Sequence, residues 1–284
     1  MKHRTERPER RTAATPEQVA APPWWLLASE SRAVLEFAAG AALRQVLQRS
    51  APRGDGHPVL VLPGLGASDR STRLLRAFLR DLGYLALPWE MGTNTGLRSG
   101  MAQRTRARLQ ALFDAHGKIS LVGQSLGGIF ARELAKLEPH LIRQVITLGS
   151  PFTGHPRATN ATRLYEWLAG DQIDAAVLER HARLRGKPPV PTTSVYSKLD
   201  GVVSWHCSIE TGQPQSENIH LRGASHLGMA SSPAALYLLA ERLAQPEGHW
   251  TPFRPSGWQR LAYGVDQHHG AVPAADRNPG GAAA

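Results

Sequence analysis

A serine in a glycine-flanked turn, then an aspartate, then a histidine, each following an apolar run, form the first chemical signal in this chain. The serine is Ser125, in Gly123-Gln124-Ser125-Leu126-Gly127. This G-x-S-x-G follows the apolar run Ile119–Val122 and leads straight into a helical pattern, Leu126–Leu137. So tight a strand-to-helix turn strains its central residue and lifts that side chain above the sheet edge. The flanking glycines leave room for the chain to pass closely. Without that context the pentapeptide would be only a glycine-rich connection holding an incidental serine.

A serine hydroxyl is a weak nucleophile at neutral pH, so it needs a base, and the base needs a group to orient it. Of the 12 histidines, His220 falls inside a strand pattern, while His249, His268 and His269 lie in an irregular C-terminal region. His226 sits in a loop between the last strand pattern of the core and the final helix. Parallel strands carry such loops to the same edge as Ser125. The run Thr193–Tyr196 leads into Ser197-Lys198-Leu199-Asp200, which puts Asp200 at that edge. The preceding run ends in Gly149-Ser150-Pro151-Phe152 without an acid, and Asp171 and Asp174 fall in an insertion. Two backbone N–H groups would complete the site as donors to a developing oxyanion. One is that of Leu126; the other is that of Leu65, in the turn Pro63-Gly64-Leu65-Gly66.

These residues need a sheet to hold them. Short apolar runs predict strands at Val59–Leu62, Leu85–Leu87, Ile119–Val122, Gln144–Leu148, Thr193–Tyr196 and Asn218–Leu221. Their continuous apolar character predicts coverage on both faces. Between them, helical stripes recur: Leu74, Leu75, Phe78, Leu79 and Leu82, with Arg73, Arg76 and Asp81 off it; Leu109, Leu112 and Phe113; and Leu236, Leu238, Leu239 and Leu243. Such stripes predict core. The alternation predicts an α/β fold with a mostly parallel central sheet and helices on both faces. Residues 57–245 form this core, with a lid at 153–190 inserted before the acid-bearing strand. Residues 1–56 read as an N-terminal extension with an amphipathic helix opened by Ser29 or Ser31, its stripe being Leu35, Ala38, Ala42 and Val46. Residues 246–284 read as a loop-like extension, disordered from about Ala271.

Composition narrows the function classes. The 284 residues include one cysteine, Cys207, so no internal disulfide forms. No apolar run reaches the roughly 20 residues of a membrane span. Arg10-Arg11 are followed by polar residues rather than an apolar signal segment, so a cytoplasmic protein, with membrane association at most peripheral, is expected. The net charge of +10 is diffuse, with five lysines among 33 cations and no zinc-ligand spacing or stacking motif, so nucleic acid is not expected as a partner. A dinucleotide fingerprint fails because Asp69 stands where Gly or Ala is required. No G-K-[ST] or H-E-x-x-H occurs, and His268-His269 lack spaced partners, so neither a cofactor nor a metal is expected. Arg180, Arg183 and Lys187 in the lid, and Trp24-Trp25-Leu26-Leu27, could meet an anionic lipid surface. The plainer expectation is a solvated lid face and tryptophans packed on the core.

The order Ser125…Asp200…His226, the P-G-L-G turn, G-Q-S-L-G-G and V-I-T-L-G-S-P-F resemble the α/β-hydrolase superfamily, in its bacterial lipase and esterase branch. The resemblance spans roughly 57–245. Gln124, Pro63 and Phe152 stand where histidines are frequent in that branch. The resemblance implies a serine hydrolase that cleaves lipid-like or acyl esters through an acyl-enzyme intermediate. Its partner is then a small-molecule ester, with peripheral membrane contact as an accompanying expectation. An acyltransferase and a non-catalytic binding protein on the same fold are the alternatives.

Overall fold

The computed structural model describes residues 20–96, 100–153, 184–212 and 214–265. Most of the predicted lid lies outside these residues, with Asp171, Asp174, Arg180 and Arg183. So do His268, His269 and the tail expected to be disordered.

The described residues form one seven-stranded sheet. Its strands are β1 (Pro58–Leu62), β2 (Leu85–Pro88), β3 (Ile119–Gln124), β4 (Ile142–Leu148), β5 (Thr192–Tyr196), β6 (Ser216–Leu221) and β7 (Tyr263–Val265), in the order β2-β1-β3-β4-β5-β6-β7. The first six are parallel, with Val59 opposite Ser120, Val122 opposite Ile146 and Val195 opposite Ile219. Only β7 runs antiparallel, on β6.

Alternation along the strands sends side chains to two cores. Val59 and Val61 of β1 pack with Val122, Ile146 and Leu148 against α3 (Arg73–Asp81) and α6 (Pro233–Leu243). Leu60 and Leu62 pack with Leu121 and Val145 against α4 (Met101–His116) and α5 (Leu126–Leu137). The predicted stripes of α3 and α6 are buried throughout. In α4, Leu109 is buried, and Leu112 and Phe113 pack partly buried beside it. The mostly parallel sheet with helices on both faces is thus the predicted architecture. Arg76, expected off the stripe, is buried; it donates to Thr72 Oγ1 at 3.2 Å and to the Asp69 carbonyl at 2.6 Å.

The flanking regions depart from expectation. The N-terminal segment forms α1 (Trp24–Ala28), a 3-10 turn (Ser29–Arg32) and α2 (Ala33–Ser50). The helix exists, but its apolar stripe points outward: Leu35 is 72% exposed and Val46 58%. The docked side carries Glu36, Gly40 and Leu47 instead. Gly40 lies so close to the Ser231 carbonyl that a Cβ would sit 1.9 Å from its oxygen. Backbone approach and polar contacts seat this helix where a hydrophobic stripe was expected to. Trp24 and Trp25, expected on the core, are 78% and 54% exposed, while Leu26 is buried. Residues 246–265, read as loop-like, contribute α7 (Gln259–Ala262) and edge strand β7. With only three strand residues, β7 is too short to show alternation in sequence.

Candidate active site

Ser125 closes β3 and caps α5. Its φ of 51° and ψ of −121° lie where few non-glycine residues are found, a conformation worth about 1–3 kcal/mol of strain. The surroundings over-determine it. The Ser125 N–H donates to the Leu148 carbonyl at 2.8 Å. A Cβ on Gly123 would come 2.4 Å from the Gly127 carbonyl oxygen, and one on Gly127 would come 2.4 Å from that of Leu62. Both flanking glycines are therefore required by close backbone approach, as the motif predicts.

Asp200 and His226 meet at the same sheet edge. Asp200 Oδ2 lies 2.7 Å from His226 Nδ1, and both residues are buried. The other carboxylate oxygen, Oδ1, accepts the N–H groups of Val202 at 2.9 Å and Val203 at 2.7 Å. The acid is thus fixed by its own loop, with one oxygen left for the imidazole. Burial works to lower the His226 pKa, but the charge and hydrogen bond of Asp200 and the charge of Glu30 carry it above the ordinary histidine value. Gly149, after β4, fits between these groups. Its φ is +57°, and a Cβ there would stand 3.1 Å from both Asp200 Oδ2 and His226 Nδ1.

Two further contacts draw Ser125 into this group. Gln124 Nε2 donates to the His226 carbonyl at 2.9 Å, so the residue replacing a frequent histidine ties the serine turn to the histidine loop. A Cβ on Gly64 would lie 3.4 Å from Ser125 Cβ, which puts the Pro63–Gly66 turn against the serine. That turn is held by Gly66 N–H to the Asn94 carbonyl at 2.7 Å and by Asn94 Nδ2 to the Pro63 carbonyl at 2.8 Å. Leu65 stands in this turn. Leu126 opens α5, where a first-turn N–H has no acceptor within its helix. The serine turn followed by a helix, with acid and imidazole after later strands, is the arrangement of the α/β-hydrolase fold.

Sequence reasoning missed Glu30, which is buried in the 3-10 turn and accepts the His226 N–H at 2.9 Å. The only signal was a lone acid in the largely apolar stretch 19–35. It also missed a second hydrogen-bonded series, Asp55, His57 and Ser120, at the opposite ends of the strands. Among the described residues no three His, Cys, Asp or Glu side chains group as a metal ion would need. No helix among them is long and apolar enough to cross a membrane.

No family model matches the chain, and no curated protein matches it. Among solved structures, it is similar to an α/β-hydrolase enzyme from the metagenome of sediments of the Mar Chica lagoon, Morocco. That likeness has 21% identity and a TM-score of 0.46 over 66% of this chain and 90% of that one. It is also similar to a monoacylglycerol lipase of Paleococcus ferrophilus, with 15% identity and a TM-score of 0.47 over 65% and 96%. The mouse α/β hydrolase domain-containing protein 10 gives 17%, 0.46, 66% and 88% for the same quantities. At these scores the likenesses add nothing to the chemistry, which stands on the chain's own geometry.

Proposed function

We propose that this protein is a serine hydrolase of carboxylic esters, with Ser125 as nucleophile, His226 as base and Asp200 as the group that orients it. The observation that carries the reading is the 2.7 Å contact of Asp200 Oδ2 with His226 Nδ1, at the edge where Ser125 sits in a strained turn. With Nδ1–H donated to Asp200, the Nε2 lone pair is left for the serine proton. Ser125 Oγ attacks the ester carbonyl, and its proton passes to Nε2. The Leu65 and Leu126 N–H groups receive the oxyanion. Collapse expels the alcohol, which takes the proton from His226, and leaves an acyl-serine. Water, deprotonated by the same imidazole, releases the acid and restores Ser125.

The substrate class in this proposal is acyl or lipid-like esters. Leu199 and Leu227, next to Asp200 and His226 in sequence, are 42% and 62% exposed and give this edge apolar surroundings. A p-nitrophenyl ester chain-length series on wild type and Ser125→Ala tests both parts. The expected result is hydrolysis that favours longer chains and falls about 10³-fold or more in the variant. Unchanged turnover by Ser125→Ala would overturn the assignment. Alcohol acceptors added to the same assay would reveal acyl transfer as acylated alcohol.

Peripheral contact with an anionic lipid surface belongs to the proposal. Trp24, Trp25, Leu27 and Phe37 are exposed on a chain of net charge +10. Co-sedimentation with anionic but not neutral vesicles, weakened by Trp24→Ala with Trp25→Ala, is expected; equal behaviour with both vesicle types would refute it.

A further inference from the structure

A buried carboxylate is costly unless donors satisfy it. Glu30 is only 4% exposed, and it finds its donors in the loops that carry Asp200 and His226. Its Oε1 accepts the N–H of Gly201 at 2.8 Å and the N–H of His226 at 2.9 Å. Its Oε2 accepts the N–H of Leu227 at 2.9 Å. One side chain thus spans the residue after the acid and the backbone of the imidazole itself.

Two neighbours of Glu30 extend the pattern, Arg32 as a donor and Glu36 as an acceptor. Arg32 donates through Nη2 to the Leu199 carbonyl and, at 3.3 Å, to that of Ala224. These carbonyls belong to the same two loops, one residue before Asp200 and two before His226. Glu36 accepts the Ser225 N–H at 2.9 Å and pairs with Arg32 Nε at 3.5 Å. The segment also sits tightly on the acid loop, since a Cβ on Gly201 would come 2.3 Å from the Leu26 carbonyl oxygen. Glu30, Arg32 and Glu36 all lie outside the residues 57–245 that carry the hydrolase resemblance.

We propose that Glu30 is a positioning residue, a clasp from the N-terminal segment that holds the Asp200 and His226 loops at the separation their side-chain contact requires. This rests on the reading of Ser125, His226 and Asp200 as the reacting groups. Arg32 and Glu36 are the outer contacts of the same clasp. The charged groups that act on the imidazole are Asp200 on the acid loop and Glu30 on the N-terminal segment, while Arg32 and Glu36 contact the backbone of the same two loops. The Glu30 charge adds to that of Asp200 in favouring the imidazolium that forms during turnover.

The test compares wild type, Glu30→Gln and Glu30→Ala in the full chain. Glu30→Gln keeps the shape and one acceptor oxygen but loses the charge. Its kcat is expected to fall about tenfold, the equivalent of about 1.4 kcal/mol, with KM little changed. The acid limb of its kcat/KM profile moves to lower pH, and Glu30→Ala loses more. The His226 titration is also followed by NMR with Glu30→Gln in a Ser125→Ala background, where no turnover is needed. A lower titration midpoint there supports the clasp. A wild-type midpoint with wild-type kcat, accompanied only by a drop in melting temperature, overturns it and leaves Glu30 as a tether. Failure of a fluorophosphonate to label wild-type Ser125 would instead sink the hydrolase reading. If Glu30→Ala does not fold, Glu30→Gln and the NMR titration still decide.

Discussion

Aspartate, histidine and serine gather at both ends of the sheet, and the two ends differ in nearly everything else. At the carboxyl ends of the strands stand Asp200, His226 and Ser125. At the amino ends His57 Nδ1 meets Asp55 Oδ1, and His57 Nε2 lies 2.8 Å from Ser120 Oγ. Ser120 is the second residue of β3, wholly buried and paired in the ladder with Gln144. It has no positive φ, starts no helix and has no adjacent turn to supply oxyanion donors. Ser125, only five positions later in sequence, has the strained turn, the helix start and the Gly64 turn against it. Asp55 also accepts Arg143 Nη1 at 2.8 Å, so the amino-end series staples the segment before β1 to β3 and β4. A hydrogen-bonded series of the right residue types is therefore not yet a reactive site; its place on the sheet decides.

The largest effect expected from this comparison comes from matched changes of the two acids. Asp200→Asn should lower kcat about 10⁴-fold, because an amide holds the imidazole in the wrong tautomer. Asp55→Asn should leave kcat within a few-fold and cost about 1 kcal/mol of stability, since that carboxylate is half-exposed and its contacts are screened. Ester-hydrolysis kinetics and denaturant unfolding on the two variants check both halves. Comparable losses of activity would erase the distinction between the two ends.

A smaller, sharper contrast lies in the two imidazoles. Burial lowers the His57 pKa and prevails over the hydrogen bond the ring donates to Asp55, with the Arg143 charge adding to the drop. At His226 burial acts the same way but is outweighed by Asp200 and Glu30. The two rings should therefore titrate on opposite sides of 6.5 by NMR. Because a base must be neutral, kcat/KM should fall as pH drops through the raised His226 pKa. The stability effects have opposite signs. Stabilisation from His226 is fully present below 6.5 and fades as pH rises through its folded pKa. Stabilisation associated with His57 is present above 6.5 and is lost as pH falls through its lowered value. Both rings titrating on the same side would refute the contrast.

The gathering of Ser125, Asp200 and His226 at one sheet edge was legible because the chemistry proposed for them restricts both residue type and place. Ser125 follows a continuous apolar run, Asp200 and His226 follow short runs that mix apolar and polar residues, and all six parallel strands appear where these runs stand. The edges of those runs were read short where polar residues are buried in the strand. Arg143 in β4 reaches Asp55, and Glu217 in β6 pairs with Arg242 of α6 at 2.9 Å. The outward stripe of α2 misled because packing there follows Gly40 and polar contacts, which leave no apolar period. Glu30 was hidden for a related reason. It binds backbone N–H groups, which every residue but proline offers, so its partners at 201, 226 and 227 carry no matching residue type. His57 and Ser120 were hidden because a histidine before one strand and a serine inside another become neighbours only when β1 and β3 pair.

The central claim is that Ser125, and not Ser120, is the nucleophile. Intact protein treated with a fluorophosphonate, digested and mapped by mass spectrometry tests it most directly. The account predicts one phosphonyl adduct, on Ser125, that disappears in His226→Ala. No adduct at Ser125, or an adduct on Ser120 in its place, would contradict it.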